Sequence, residues 1–250
     1  MKILENLEEK INGLKSINHV LYNYPDNTLQ TYIYYLSELG EKAEIDFEFV
    51  DRVIKTVDIN YKNEYGDTAL HETCKLQNNE QTLKLAQKLI QYKIDKYSVN
   101  KFGQSVLHIA ASYDNTILIK YFLEINVKIV QEDINNKSLS KLKHSKLSKH
   151  IEIDNKLLEL TTFGEQQTAL HYASRNSSLN SIKLLVIQYK SDLESRDFQG
   201  RTPFYLAAEY SNNSAVKLLM DLGSNPNIKN IYGQKALYWT IVNCPDLVIF

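Results

Sequence analysis

The sequence predicts an all-α solenoid, built from helix-turn-helix units joined by short β-hairpin loops. Two observations carry this. A phrase made of a turn glycine, a hydroxyl residue and a small-residue helical run recurs along the chain, and most recurrences are followed by a second apolar pattern at helical spacing. Composition agrees: 250 residues that are 43% hydrophobic and 24% charged suffice for a large core.

The phrase reads "NEYGDTALHETC" from Asn63, "NKFGQSVLHIAA" from Asn100, "EQQTALHYAS" from Glu165, "DFQGRTPFYLAA" from Asp197 and "NIYGQKALYWTI" from Asn230. Aligned on Asp197, units start near 63, 100, 163, 197 and 230, the last incomplete. Halving the wide gap after Asn100 lands on "DINNKSLSKLKH" at Asp133, which keeps the leading acid and Ser138 and carries Asn136 for glycine, so a degenerate unit is expected there.

Gly66, Gly103, Gly200 and Gly233 sit where a tight turn requires positive φ. Thr68, Ser105, Thr168 and Thr202 then precede an apolar helical run, as N-caps whose hydroxyls meet first-turn amides, and Pro203 suits N1. Ala110-Ala111, Ala173-Ser174 and Ala207-Ala208 let neighbouring helices approach closely. The second helices are apolar at Leu83, Leu85, Leu89 and Ile90, at Ile117, Ile119, Tyr121 and Phe122, at Ile182, Leu184 and Leu185, and at Val216, Leu218 and Leu219. One unit cannot cover such a face, whereas a stack can. Gly223 suits the left-handed position after a helix, which Lys93, Asn126 and Lys190 occupy elsewhere.

Residues 1–62 read as N-terminal helices and a degenerate capping unit, with helices expected at Ile3 to Leu14, Thr28 to Leu39 and Phe47 to Lys55 before the exit "VDIN". Residues 63–250 hold the units proper.

These units resemble ankyrin repeats, whose phrase Gly-x-Thr-Pro-Leu-His-x-Ala-Ala is met in pieces by "GDTALHETC", "GQSVLHIAA", "QTALHYAS" and "GRTPFYLAA". The resemblance covers most of residues 63 to 250 and departs from the family phrase where Tyr205 and Tyr238 replace His. It implies a module that binds a protein and catalyses nothing.

Chemistry read from the residues points the same way. A formal net charge of −1 supplies no global field for nucleic acid, and no apolar run approaches a membrane span or a secretory leader. With only Cys74 and Cys244, the chain fits a reducing cytoplasm. Phosphate-loop, dinucleotide and zincin patterns are not found, so neither cofactor, metal nor catalytic residue is assigned. His71 and Cys74 lie three apart, but His71, His108 and His171 recur at one place in the phrase, as expected of a histidine that satisfies backbone groups. The basic stretch Lys137 to His150 reads as a solvated segment of a decayed repeat, the alternative being a basic amphipathic helix that meets an acidic protein or a lipid headgroup.

Partner-binding candidates are residues that packing does not require. Tyr65, Phe102 and Tyr232 precede the turn glycine and Phe198 lies one residue earlier, so these aromatics are expected along the turn tips, either as anchors for a partner or stacked on each other. Glu72, Lys75, Ile109, Tyr172, Arg175, Tyr205, Glu209 and Tyr238 are expected to face a concave groove on the first helices. The sequence thus predicts a protein-binding scaffold. A composition rich in Asn, Ile, Lys and Tyr adds the expectation of a microbial, host-directed effector acting in host cytosol. The alternative is the targeting part of a larger enzyme or adaptor continuing past residue 250, and the apolar end "PDLVIF" raises self-association.

Overall fold

Each recurrence of the phrase folds into a tight turn followed by a short helix. The computed structural model describes residues 28–39, 44–124 and 153–243, grouped in two compact units, Met1–Lys101 and Phe102–Phe250. The helix expected at 3–14, the repeat expected from 133, the basic stretch 137–150, Asn126 and Cys244 all lie outside the described residues.

In the first unit, α1 (Thr28–Leu39) and α2 (Phe47–Val53) precede α3 (Ala69–Thr73) and α4 (Glu80–Gln91). Leu29, Tyr32, Ile33 and Leu36 give α1 one buried stripe, and α1 packs on α2 and α3. The Tyr32 hydroxyl accepts from the Asp46 amide at 2.8 Å, and Asp46 caps α2 by accepting from Phe49 N at 2.9 Å. Asn79 caps α4 in the same way, from Thr82 N at 3.0 Å.

In the second unit the first helices are α5 (Val106–Ser112), α8 (Ala169–Arg175), α10 (Pro203–Glu209) and α12 (Ala236–Asn243). Between them lie α6 (116–124), the one-turn α7 (Asn155–Leu158), α9 (Leu179–Lys183), which widens into a π-turn over Leu184–Gln188, and α11 (Asn213–Asp221). α5 packs on α8, α8 on α10 and α10 on α12. Close approach follows from side-chain size: Ala110, Ala111, Ala173, Ser174, Ala207 and Ala208 are fully buried. The second helices bury Leu118, Ile119, Phe122 and Leu123 on α6, Ile182 and Leu185 on α9 and its π-turn, and Val216 and Leu219 on α11.

The repeats that start near 100 and 163 are direct neighbours. Phe163 N donates to Phe102 O at 3.0 Å, Asp154 N donates to Leu123 O at 2.9 Å, and Ser178 Oγ donates to Ser112 O at 2.9 Å. Among the described residues no further layer stands between α5 and α8.

The loops between repeats are turns, with an isolated antiparallel bridge between Lys229 and Lys235. The left-handed exits expected after the second helices are present at Lys93 (φ 64°), Lys190 (φ 56°) and Gly223 (φ 98°). A second left-handed set, Asp114, Ser177 and Ser211, closes the first helices. There the next amides, Asn115 N, Ser178 N and Asn212 N, reach back to the carbonyls of Ala110, Ala173 and Ala207 at 2.8–2.9 Å, the paired closure of a Schellman turn.

Candidate functional site

In three repeats the turn is stapled by the first side chain of the repeat. Asn63 Oδ1 accepts from Tyr65 N and Asp67 N, both at 2.9 Å. Asp197 Oδ1 accepts from Gln199 N at 3.0 Å and Arg201 N at 2.8 Å. Asn230 Oδ1 accepts from Tyr232 N at 3.0 Å and Gln234 N at 2.9 Å. The turn at 162 has one residue more. Thr162 N donates to Gln167 O, and Gln167 N to Thr162 Oγ1, each at 3.0 Å; Gly164 and Gln166 both take positive φ there.

Successive tips are joined through the backbone. Lys101 N donates to Tyr65 O at 3.0 Å in the first unit; in the second, Phe198 N donates to Glu165 O at 2.8 Å and Ile231 N to Gln199 O at 2.9 Å. These bonds tie each tip to the next through the backbone, and the tip side chains are exposed. Tyr65 is 56% exposed, Phe102 58%, Phe198 64% and Tyr232 69%. Among the described residues Tyr65, Phe198 and Tyr232 join no ring pair. Phe163, which the sequence reading passed over, is as exposed as these, with its backbone lying against Gly103. The signal for it was the extra residue in "TFGEQQT", which displaces the phrase by one.

The recurrent histidines are structural bridges. Nδ1 of His71, His108 and His171 accepts from the N-cap amide of Thr68, Ser105 and Thr168, each at 3.2 Å, and lies 2.8–2.9 Å from the same residue's hydroxyl. His108 Nε2 donates to Gln167 O at 2.9 Å and His171 Nε2 to Arg201 O at 3.0 Å, carbonyls of the following repeat. A carbonyl can only accept, so the hydrogen sits on Nε2 and both rings are neutral. Burial pushes the His171 pKa down to about 4. Cys74 Sγ is directed at Leu70 O, 3.2 Å away, and burial pushes this thiol far above its ordinary range, which is the reverse of an activated nucleophile. Among the described residues no three His, Cys, Asp or Glu side chains gather to hold a metal ion, and no helix is long and apolar enough to cross a membrane.

The groove candidates divide by burial. In the first unit Glu72 is buried, and the half-buried Lys75 donates to it at 2.9 Å and to Asp67 at 3.1 Å. Burial raises the Glu72 pKa against the pull of Lys75. Asp67 is also buried, but the Asn100 amide, 2.9 Å away, and the Lys75 ammonium hold its carboxyl below the usual range. In the second unit Ile109 and Tyr205 are buried. Tyr205 fills the histidine's place, its hydroxyl accepting from Trp239 Nε1 at 2.7 Å and Asn230 Nδ2 at 3.1 Å. Tyr172 is half-buried, accepts from Gln104 Nε2 at 2.9 Å and meets the His108 ring edge-on at 5.4 Å. Arg175 lies over the Tyr210 ring at 4.6 Å. Glu209 accepts from Arg201 Nη1 at 3.1 Å, and Tyr238 is exposed beside Trp239. Sequence reasoning missed Arg201, which binds Asp197 at 2.8 Å as well as Glu209.

The family profile described as Ankyrin repeats (3 copies) matches residues 42–133, 76–197, 135–230 and 170–248. The chain is 29% identical over 181 residues to the Probable 26S proteasome regulatory subunit p28 of Saccharomyces cerevisiae, covering 70% of this chain and 79% of that protein. A 72-residue stretch is 29% identical to a Transient receptor potential cation channel subfamily A member 1 homolog of Caenorhabditis elegans, covering 29% of this chain and 6% of the channel protein. Among solved structures, the ankyrin repeat domain of Bcl-3, described as a unique member of the IkappaB protein family, aligns over 86% of this chain and 77% of that one, with TM-score 0.50 and 18% identity. That likeness concerns the fold alone.

Proposed function

Because the chain belongs to the ankyrin repeat family, an all-α class of protein–protein interaction modules, we propose that it is a non-catalytic scaffold that grips a protein partner in the cytoplasm with its turn tips. The observation that carries this reading is the outward row of Phe102, Phe163, Phe198 and Tyr232 in the second unit, each more than half exposed, the first three on backbone that bonds to a neighbouring turn. Exposed aromatics on a rigid edge are the side chains that anchor protein interfaces. Half-buried Tyr172, Arg175 and Glu209 supply polar groups beside that edge, while Tyr65 and Lys75 do so separately in the first unit. Buried Glu72, Ile109 and Tyr205 serve by holding the surface in shape.

Similarity along 79% of p28 favours one partner class to test first, the subunits of a proteasome regulatory assembly. The test is capture from extract by the whole chain, by a Phe102→Ala/Phe198→Ala variant and by Tyr65→Ala, with helical circular dichroism confirmed equal. Loss of one partner, proteasomal or not, in the double variant supports the tips of the second unit. Equal capture by all three chains refutes the reading.

A further inference from the structure

The segment by which each repeat leaves its second helix is tied to the same segment of the next repeat by one side chain. In the first unit Asn60 Oδ1 accepts from Asp95 N at 2.8 Å, and in the second Glu194 Oε1 accepts from Asn225 N at 2.7 Å. Between the exit that precedes α8 and the exit that follows α9 the corresponding pair is Glu159 and Asp192, and among the described residues no such bond joins them. A cavity of about 460 Å³ lies there instead, lined by both.

Both walls of this cavity break the repeat pattern. After two other second helices the exit amide closes on the fifth residue back, Ile94 N on Leu89 O and Ser224 N on Leu219 O, whereas Ser191 N closes on the sixth, Leu185 O. The extra residue makes the π-turn, a form of helix met often at functional sites. The opposite wall is α7. Elsewhere Asp95, Asp192 and Asn225 open their exits with an Asx turn, each side chain accepting from the amide two residues on at 2.9 Å; Asp154 instead caps a helical turn through Leu157 N at 3.1 Å. The lining is apolar at Leu158, Leu170 and Tyr189 and polar at Ser195, whose Oγ is buried without a partner. Two exposed carboxylates, Glu159 and Asp192, outnumber the one ammonium, Lys190.

We propose that this cavity binds an arginine side chain of a protein partner. The aliphatic stem lies along Leu158, Leu170 and Tyr189, the guanidinium meets the carboxylates of Glu159 and Asp192, and Ser195 Oγ accepts one of its N–H groups. A planar fork of donors spans two carboxylates, which the compact lysine ammonium does less well. The cavity is larger than one side chain needs and falls in the size range of ligand pockets, so the peptide on either side of the arginine is accommodated as well.

None of the tip residues lines this cavity, so the inference stands or falls apart from the reading of the tips. The test is amide NMR of the whole ¹⁵N-labelled chain titrated with the blocked peptide acetyl-Gly-Arg-Gly-amide. Saturable shifts are expected at residues 158–159 and 189–195, with a dissociation constant of about 1 mM. The same peptide with citrulline, which keeps the shape and loses the charge, binds at least about 10-fold more weakly. Glu159→Gln, at an exposed position, and Asp192→Asn, which keeps the Asx turn, each weaken the arginine peptide about 10-fold, while Asp221→Asn, an exposed carboxylate on α11, leaves the constant unchanged. Absence of saturable shifts, equal binding of the citrulline peptide, or indifference to both substitutions at the cavity overturns the proposal. Free arginine binding more tightly than the blocked peptide overturns the assignment to a protein partner.

Discussion

Three turn glycines offer a graded measurement of how tightly one repeat seats on the next. Gly103, Gly164 and Gly200 share nearly the same backbone, with φ of 76°, 70° and 71°, so replacing any of them with alanine carries the same left-handed penalty, about 1–2 kcal/mol. Their surroundings differ. A Cβ at Gly164 meets nothing within 4 Å, and one at Gly200 falls 3.2 Å from Ile231 N and 3.3 Å from Ile231 Cγ2. At Gly103 it would run into the Phe163 amide and lie 2.7 Å from Phe163 Cγ. Relief there means moving Phe163 and breaking its bond to Phe102 O, which adds about 1 kcal/mol for the bond and about 1–3 kcal/mol for the overlap. The expected losses are thus about 1–2 kcal/mol for Gly164→Ala, slightly more for Gly200→Ala, and about 3–6 kcal/mol for Gly103→Ala. Urea unfolding followed by circular dichroism reads all three. Equal losses at Gly103 and Gly164 would falsify the claim that the following repeat, and not φ alone, demands glycine.

Other consequences are open to simple measurement. The depressed folded pKa of His171, about 4 against an unfolded value near 6.5, means that the unfolded chain binds the proton first. Its contribution is complete above about pH 6.5 and lost as pH falls toward 4, up to about 3 kcal/mol in all; urea midpoints at pH 7.5 and 4.5 should differ less in His171→Gln than in the unaltered chain. Lys93→Gly removes left-handed strain from an exposed exit and should stabilise by about 1 kcal/mol, raising Tm by a few degrees; a lower Tm would contradict the assignment. Tyr205→Phe deprives Trp239 Nε1 and Asn230 Nδ2 of their acceptor. It should cost about 1–3 kcal/mol and shift the fluorescence of Trp239, the chain's one tryptophan; unchanged emission would count against that bond.

Much of the local structure was legible because its causes lie within a few residues. A positive-φ glycine, a hydroxyl cap and Pro203 at N1 each act over about one turn, which is why the starts of α3, α5, α8 and α10 follow Thr68, Ser105, Thr168 and Thr202 directly. Apolar spacing likewise marks α1 and α11. The second set of left-handed residues was not legible, because Asp114, Ser177 and Ser211 carry no glycine and take their φ from the closure of the helix before them.

Neighbour relations were settled only by the tertiary structure. That the repeat at 163 sits directly on the repeat at 100 depends on Phe163 N finding Phe102 O, a pairing that no local pattern encodes. The same holds for burial among the groove candidates: Glu72 and Tyr205 look like surface polar groups in the sequence, yet Lys75 holds the first, and Trp239 and Asn230 the second, inside the fold. By itself the sequence determined the repeating unit, its caps and its apolar stripes, since these follow from backbone sterics and helical period. The tertiary structure decided which face of each unit another unit covers. Burial is a property of pairs distant in sequence.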